Sequence, residues 1–154
     1  MAFEDMETTI VSDLMSRIIH SVDHLSSVLS CAETINHNDA PAVLVTRTEE
    51  NEKLINTLRI KSGEIVVGIV TPGDILRKNV EKCADPCVEV TEKIMTSSLI
   101  HIRPESTIRE ALALMLTKNV EKLVVASNEN LVVGTITMAD IAVAFLGSPL
   151  TSGD

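Results

Sequence analysis

The chain carries one unit twice. Val66-Val67-Gly68-Ile69-Val70-Thr71-Pro72-Gly73-Asp74-Ile75 is matched by Val132-Val133-Gly134-Thr135-Ile136-Thr137-Met138-Ala139-Asp140-Ile141, with six of ten positions identical. Upstream the copies align as well, Met15 with Met95 and Val45 with Val125, but at an offset of 80 residues rather than the 66 that separates Asp74 from Asp140. The 14-residue difference places an insertion in the first copy within 46–62, where Thr-Arg-Thr-Glu-Glu-Asn-Glu-Lys reads as a polar loop. A unit this small cannot bury its apolar face alone, so the two copies are expected to pack against each other.

Hydrophobic periodicity gives both copies the same order of elements. In the second, Leu99–Ile102 reads as a strand, and a helix starts near Ser106 or Thr107, where Thr107 and Glu110 have capping-box spacing. Ile108, Ala111, Leu112, Met115 and Leu116 then recur at helical intervals. Leu123–Ala126 and Leu131–Ile136 are strands split by a turn at 127–130, and Met138–Leu146 closes the unit as a helix. The first copy repeats this with Ile18–Val22, Leu25–Ile35, Ala42–Val45, Glu64–Val70 and Pro72–Val80. The expected class is therefore α/β (α+β), two β-α-β-β-α units over 11–82 and 90–146. A linker at 83–89 joins them, and 1–10 and 147–154 are tails.

Composition removes several functions. Thirteen basic against 22 acidic side chains give a net charge of −9, which repels nucleic acid and anionic membrane surfaces, and Phe3 and Phe145 are the only aromatics available for base stacking. No apolar run reaches the ~18 residues of a membrane span, and nothing near Met1 reads as a signal peptide. Cys31, Cys83 and Cys87 are an odd number, consistent with reduced thiols in the cytoplasm. Cys31 falls on an apolar helix face, Cys83 and Cys87 in the linker, and His20, His24, His37 and His101 lack metal-ligand spacing. No nucleophile–base arrangement or phosphate-binding glycine loop is present, so no enzyme is expected.

The most informative local feature is Thr-x-x-Asp at the start of each closing helix, as Thr71/Asp74 and Thr137/Asp140. By spacing alone it is a capping box, with Pro72 suited to the first helical position. In context it carries more. Ile94-Met95-Thr96, Ile102-x-Pro104, Thr107 to Leu112, Leu123-Val124-Val125 and Val133-Gly134-x-Ile136-Thr137-x-x-Asp140-Ile141 together resemble a CBS domain. Asp13-Leu14-Met15 and Gly68 to Ile75 resemble a more divergent copy, so the resemblance covers about 11–146 and is to a stand-alone CBS pair, or Bateman module.

That resemblance implies two units related by a pseudo-twofold axis, with two clefts that bind an adenosyl ligand. The Asp of each Thr-x-x-Asp accepts the ribose hydroxyls there, which suits a carboxylate facing a cis-diol. By the family's cross-copy pattern, Thr71 and Asp74 would work with Leu99, Ile100 and Lys122, and Thr137 and Asp140 with Ser16 and His20. Lys122 answers Ala42 in the other copy, so the first cleft is expected to favour phosphorylated ligands. No cofactor is obligatory. AMP, ADP or ATP is the expected ligand class, with S-adenosylmethionine also compatible. A disc-like homodimer and an unidentified regulated protein are the expected partners. The competing reading is a ligand-free dimerisation or scaffold module.

Overall fold

The computed structural model describes residues 3–48 and 57–151. In chain order the elements are a 3₁₀ turn (Phe3–Glu7), α1 (Val11–Leu14), β1 (Ser21–Asp23), α2 (Val28–Asn38), β2 (Val43–Arg47) and β3 (Ile65–Val70). Next come α3 (Pro72–Ile75), a π-helical turn (Leu76–Val80), a 3₁₀ turn (Thr91–Lys93), β4 (His101–Ile102), α4 (Ile108–Lys118), β5 (Lys122–Ala126), β6 (Val132–Thr137) and α5 (Met138–Thr151). The chain divides into two compact units, residues 19–99 and residues 1–18 with 100–154. Among the described residues no helix is long and apolar enough to cross a membrane.

In the unit 19–99 the sheet order is β1-β2-β3, with β1 parallel and β3 antiparallel to β2. The central strand is buried from Val43 to Thr46, as a short run of Val and Leu predicts for a strand covered on both faces. Val22, Val28, Cys31, Val43, Val45, Val70 and Ile94 form the core, with Ile35, Val67, Ile75 and Met95 around it. α2 begins where the Ser27 hydroxyl accepts from Ser30 N, and it ends at Asp39 in a left-handed conformation (φ 49°).

The other unit repeats this plan as β4-β5-β6. Its core gathers Val11, Met15, Ile102, Ile108, Ala111, Met115, Leu123, Val125, Ile136 and Ile141. Details recur at the sequence offset: a bulge at Val125/Ala126 answers one at Val45/Thr46, and Asn119 (φ 54°) ends α4 as Asp39 ends α2. The Thr107 hydroxyl accepts from Glu110 N at 3.1 Å and donates to Glu110 Oε1, so the cap is made while Glu110 meets the hydroxyl in place of the backbone N–H that a full capping box would use. Thr107→Ala is expected to cost about 1 kcal/mol, read as a lower denaturant midpoint with an unchanged slope.

Compact units and sequence copies divide the chain differently. Ile10 and Ser16 of the first copy bridge to Thr107 and Thr135 of the second, while Val90 and Thr96 of the second bridge to Ser27 and Ile69 of the first. Each unit thus takes its opening segment from the other copy. Met15 and Met95 accompany these bridges, covering Gly134 and Gly68 on the last strand of the unit they join.

Three expected irregular stretches are structured. Residues 1–10, read as a tail, hold the Phe3–Glu7 turn with Met6 buried and Glu7 paired to Arg109 at 2.9 Å. Residues 83–89, read as a linker, lie against α2, since Leu29 N donates to Pro86 O and Val28 N to Glu89 O, both at 2.9 Å. Of the polar insertion 46–62, Thr46 and Arg47 belong to β2, and Leu58 and Ile60 are buried beside a turn at Gly63. Its centre, 49–56, lies outside the described residues. α5 is described to Thr151, beyond the expected end at Leu146.

Candidate functional site

Both Thr-x-x-Asp segments sit where the last strand of a sheet turns into a helix, and both close a full capping box. Thr71 N donates to Asp74 Oδ2 at 2.9 Å, and Asp74 N donates to the Thr71 hydroxyl at 3.3 Å. The second copy matches it: Thr137 N to Asp140 Oδ2 at 2.8 Å and Asp140 N to the Thr137 hydroxyl at 3.1 Å. In each, one carboxylate oxygen fixes the helix start, so what the other oxygen meets decides what the site can accept.

Here the two sites part. The Asp74 side chain is only 3% exposed, and its Oδ1 accepts from the Thr96 hydroxyl at 3.3 Å. Lys78 Nζ and Arg77 Nη2 lie 3.4 and 3.7 Å from the same oxygen. Asp140 is half-buried and has no ion-pair partner among the described residues. The positions answering Arg77 and Lys78 are Val143 and Ala144.

The remaining expected site residues are distributed between the units. Leu99 belongs with Thr71 and Asp74 in 19–99, as does His20, whose carbonyl accepts from Leu44 N at 2.9 Å. Ile100 answers it in the other unit, its carbonyl accepting from Val124 N at 3.0 Å. Ser16 lies in the unit of Thr137 and Asp140, exchanging backbone bonds of 2.8 and 3.0 Å with Thr135. Its hydroxyl donates to Ile18 O rather than to the carboxylate. Lys122 also belongs there, opposite Thr137 in the β5–β6 register.

Thr96 and the pair Arg77/Lys78 were missed. The repeat already pointed to Thr96, which stands 80 residues after Ser16 in the equivalent place. For Arg77 and Lys78 the signal was helical spacing, three and four residues beyond Asp74 on the same face.

Cys31 lies in the core near this carboxylate. Burial pushes its thiol up to about 11, the charge of Asp74 adds to the rise, and a bond with Thr91 draws it back. Cys83 and Cys87 are exposed. A thiol reagent at neutral pH is expected to modify Cys83 and Cys87 rapidly and Cys31 only after denaturation, as peptide mass mapping would show.

Residues 90–147 match the family model of the CBS domain. An uncharacterized protein of Methanocaldococcus jannaschii is 38% identical over 76 residues, 49% of this chain and 18% of that protein. The chain spans between 18% and 38% of the length of the curated relatives it matches. Among solved structures, an uncharacterized conserved protein of Pyrococcus horikoshii superposes with a TM-score of 0.72 at 23% identity, covering 92% of this chain and 94% of that one. A CBS domain pair solved with 5′-methylthioadenosine and S-adenosyl-L-methionine superposes with a TM-score of 0.68 at 21% identity, covering 91% and 98%. The second copy therefore matches the CBS domain, and the repeated β-α-β-β-α plan gives the chain the fold of solved CBS domain pairs.

Proposed function

We propose that the chain is a regulatory ligand-sensing module that binds an adenine nucleotide or related adenosyl ligand. In this reading Asp74 and Asp140 receive ribose hydroxyls, and Ser16, His20, Leu99, Ile100 and Lys122 supply further contacts. The observation that carries it is the duplication of one geometry. Both carboxylates are held by their own helix starts, and the half-buried Asp140 has no ion-pair partner among the described residues. A rigid acceptor suits a cis-diol, whose two hydroxyls need a fixed acceptor and lose little entropy in meeting it. The structural relative bound to methylthioadenosine and S-adenosylmethionine supports the ligand class.

One observation favours a second reading, a ligand-free scaffold: Asp74 is nearly excluded from solvent and already satisfied within its own unit. Calorimetric titration with AMP and with S-adenosylmethionine separates the two. Saturable binding that weakens in Asp140→Ala supports sensing, and its absence at millimolar ligand supports the scaffold.

In either reading the protein is proposed to act as a homodimer outside any membrane, as a regulator rather than an enzyme. Leu76 and Val80 in one unit, and Val143 and Leu146 in the other, are more than half exposed, apolar side chains that a partner would cover. Light scattering is expected to return twice the chain mass, and a concentration-independent monomer would remove the proposal.

A further inference from the structure

The two Thr-x-x-Asp carboxylates share a cap and differ in charge environment, and the difference is built from three coordinated positions. In the unit 19–99 these are Gly73, Arg77 and Lys78, and in the other unit Ala139, Val143 and Ala144. Gly73 adjoins the arrangement: a Cβ there would lie 2.9 Å from Arg77 Nη1 and 3.1 Å from Nη2, so the guanidinium lies folded back over the helix start and would have to shift for a larger residue. Lys78 closes on the same carboxylate from one residue further on. Where the glycine is alanine, neither cation is present.

A ribose hydroxyl that reaches Asp74 Oδ1 enters a position already holding the Thr96 hydroxyl and two cations. It must push at least one cation off. Displacing an ammonium or guanidinium from a buried carboxylate is costly unless the ligand brings an anion to receive it. A 5′-phosphate or longer phosphate chain does so, with the arginine fork suited to its oxygens. An uncharged nucleoside cannot, and a sulfonium adds charge of the wrong sign. At Asp140 no such exchange is required.

We propose that Arg77 and Lys78 gate Asp74 by charge, so that this site takes phosphorylated adenosyl ligands and excludes uncharged or cationic ones, while Asp140 accepts uncharged ones as well. The inference rests on the adenosyl reading of the two carboxylates.

The test uses the full chain with Asp140→Ala, which leaves the Asp74 site alone, titrated calorimetrically with AMP and with adenosine. AMP is expected to bind at least tenfold more tightly than adenosine, with an affinity that falls as salt rises. Adding Arg77→Gln and Lys78→Gln is expected to narrow the ratio below threefold, weakening AMP and strengthening adenosine. Unfolding temperatures followed alongside report whether the variants fold. If the glutamine protein does not, the salt series on Asp140→Ala decides by itself, since equal salt response of AMP and adenosine contradicts the gate. A ratio that survives both substitutions overturns it, as does loss of all binding in Asp140→Ala when the unaltered chain binds. Should the unaltered chain bind neither titrant, the adenosyl reading fails and takes the gate with it.

Discussion

Adding a single methyl group at Gly134 is expected to destabilise the unit formed by 1–18 and 100–154 by about 3 kcal/mol, at the upper end of overpacking costs. An ideal Cβ at Gly134 would stand 2.5 Å from the Ser16 carbonyl oxygen. That oxygen cannot retreat cheaply, because it accepts from Thr135 N at 3.0 Å while Ser16 N donates to Thr135 O at 2.8 Å. Substitution by alanine ordinarily gains about 0.4–1 kcal/mol through the unfolded chain, so the loss from the clash must exceed the net effect by that much. Gly68 supplies the control. Its Cβ would meet Met95 Sδ and Cγ, which can rotate away, and would stand 3.0 Å from Met95 Cβ, a milder clash than that with a bonded carbonyl, so Gly68→Ala is expected to cost about 1 kcal/mol. Denaturant unfolding of both proteins measures the contrast. Equal losses would mean that the opening segment 10–16 does not hold its place against β6.

The second large effect concerns ligand. Asp140→Ala is expected to lower affinity for an adenosyl ligand at that site tenfold or more, since a hydrogen bond to a charged acceptor is worth ~1.5–3 kcal/mol. The same substitution removes the bond from Thr137 N and costs about 1 kcal/mol of stability as a lost cap. Asp140→Asn separates the two roles. Its amide oxygen can still accept from Thr137 N, so the unfolding midpoint recovers, yet only one acceptor remains where the carboxylate offered two. Recovery of affinity together with stability in the Asn protein would show that Asp140 serves only the helix.

Much of this was legible before any coordinates. The offsets of 66 and 80 residues carried the duplication, and the β-rich runs at Val43 and Leu123 became the central strands. The Thr107 and Thr71 caps formed as their spacing requires, because capping is a local interaction decided within four residues. What escaped the sequence was long-range. That residues 90–96 close the sheet of the first copy, and 10–16 that of the second, depends on the pairing of Thr96 with Ile69 and Ser16 with Thr135, which no local pattern encodes. Lys122 stands opposite Thr137, whereas Arg77 and Lys78 converge on Asp74. Helical spacing made that convergence available. Only the burial of the carboxylate gave it weight.

Mass spectrometry of the small molecules released from purified protein tests most directly whether the Thr-x-x-Asp carboxylates hold an adenosyl ligand. A compound containing adenosine, depleted when Asp74→Ala and Asp140→Ala are combined, is the predicted result. Release of a compound without adenosine, or an adenosyl compound retained in equal amount by the doubly substituted protein, would contradict it.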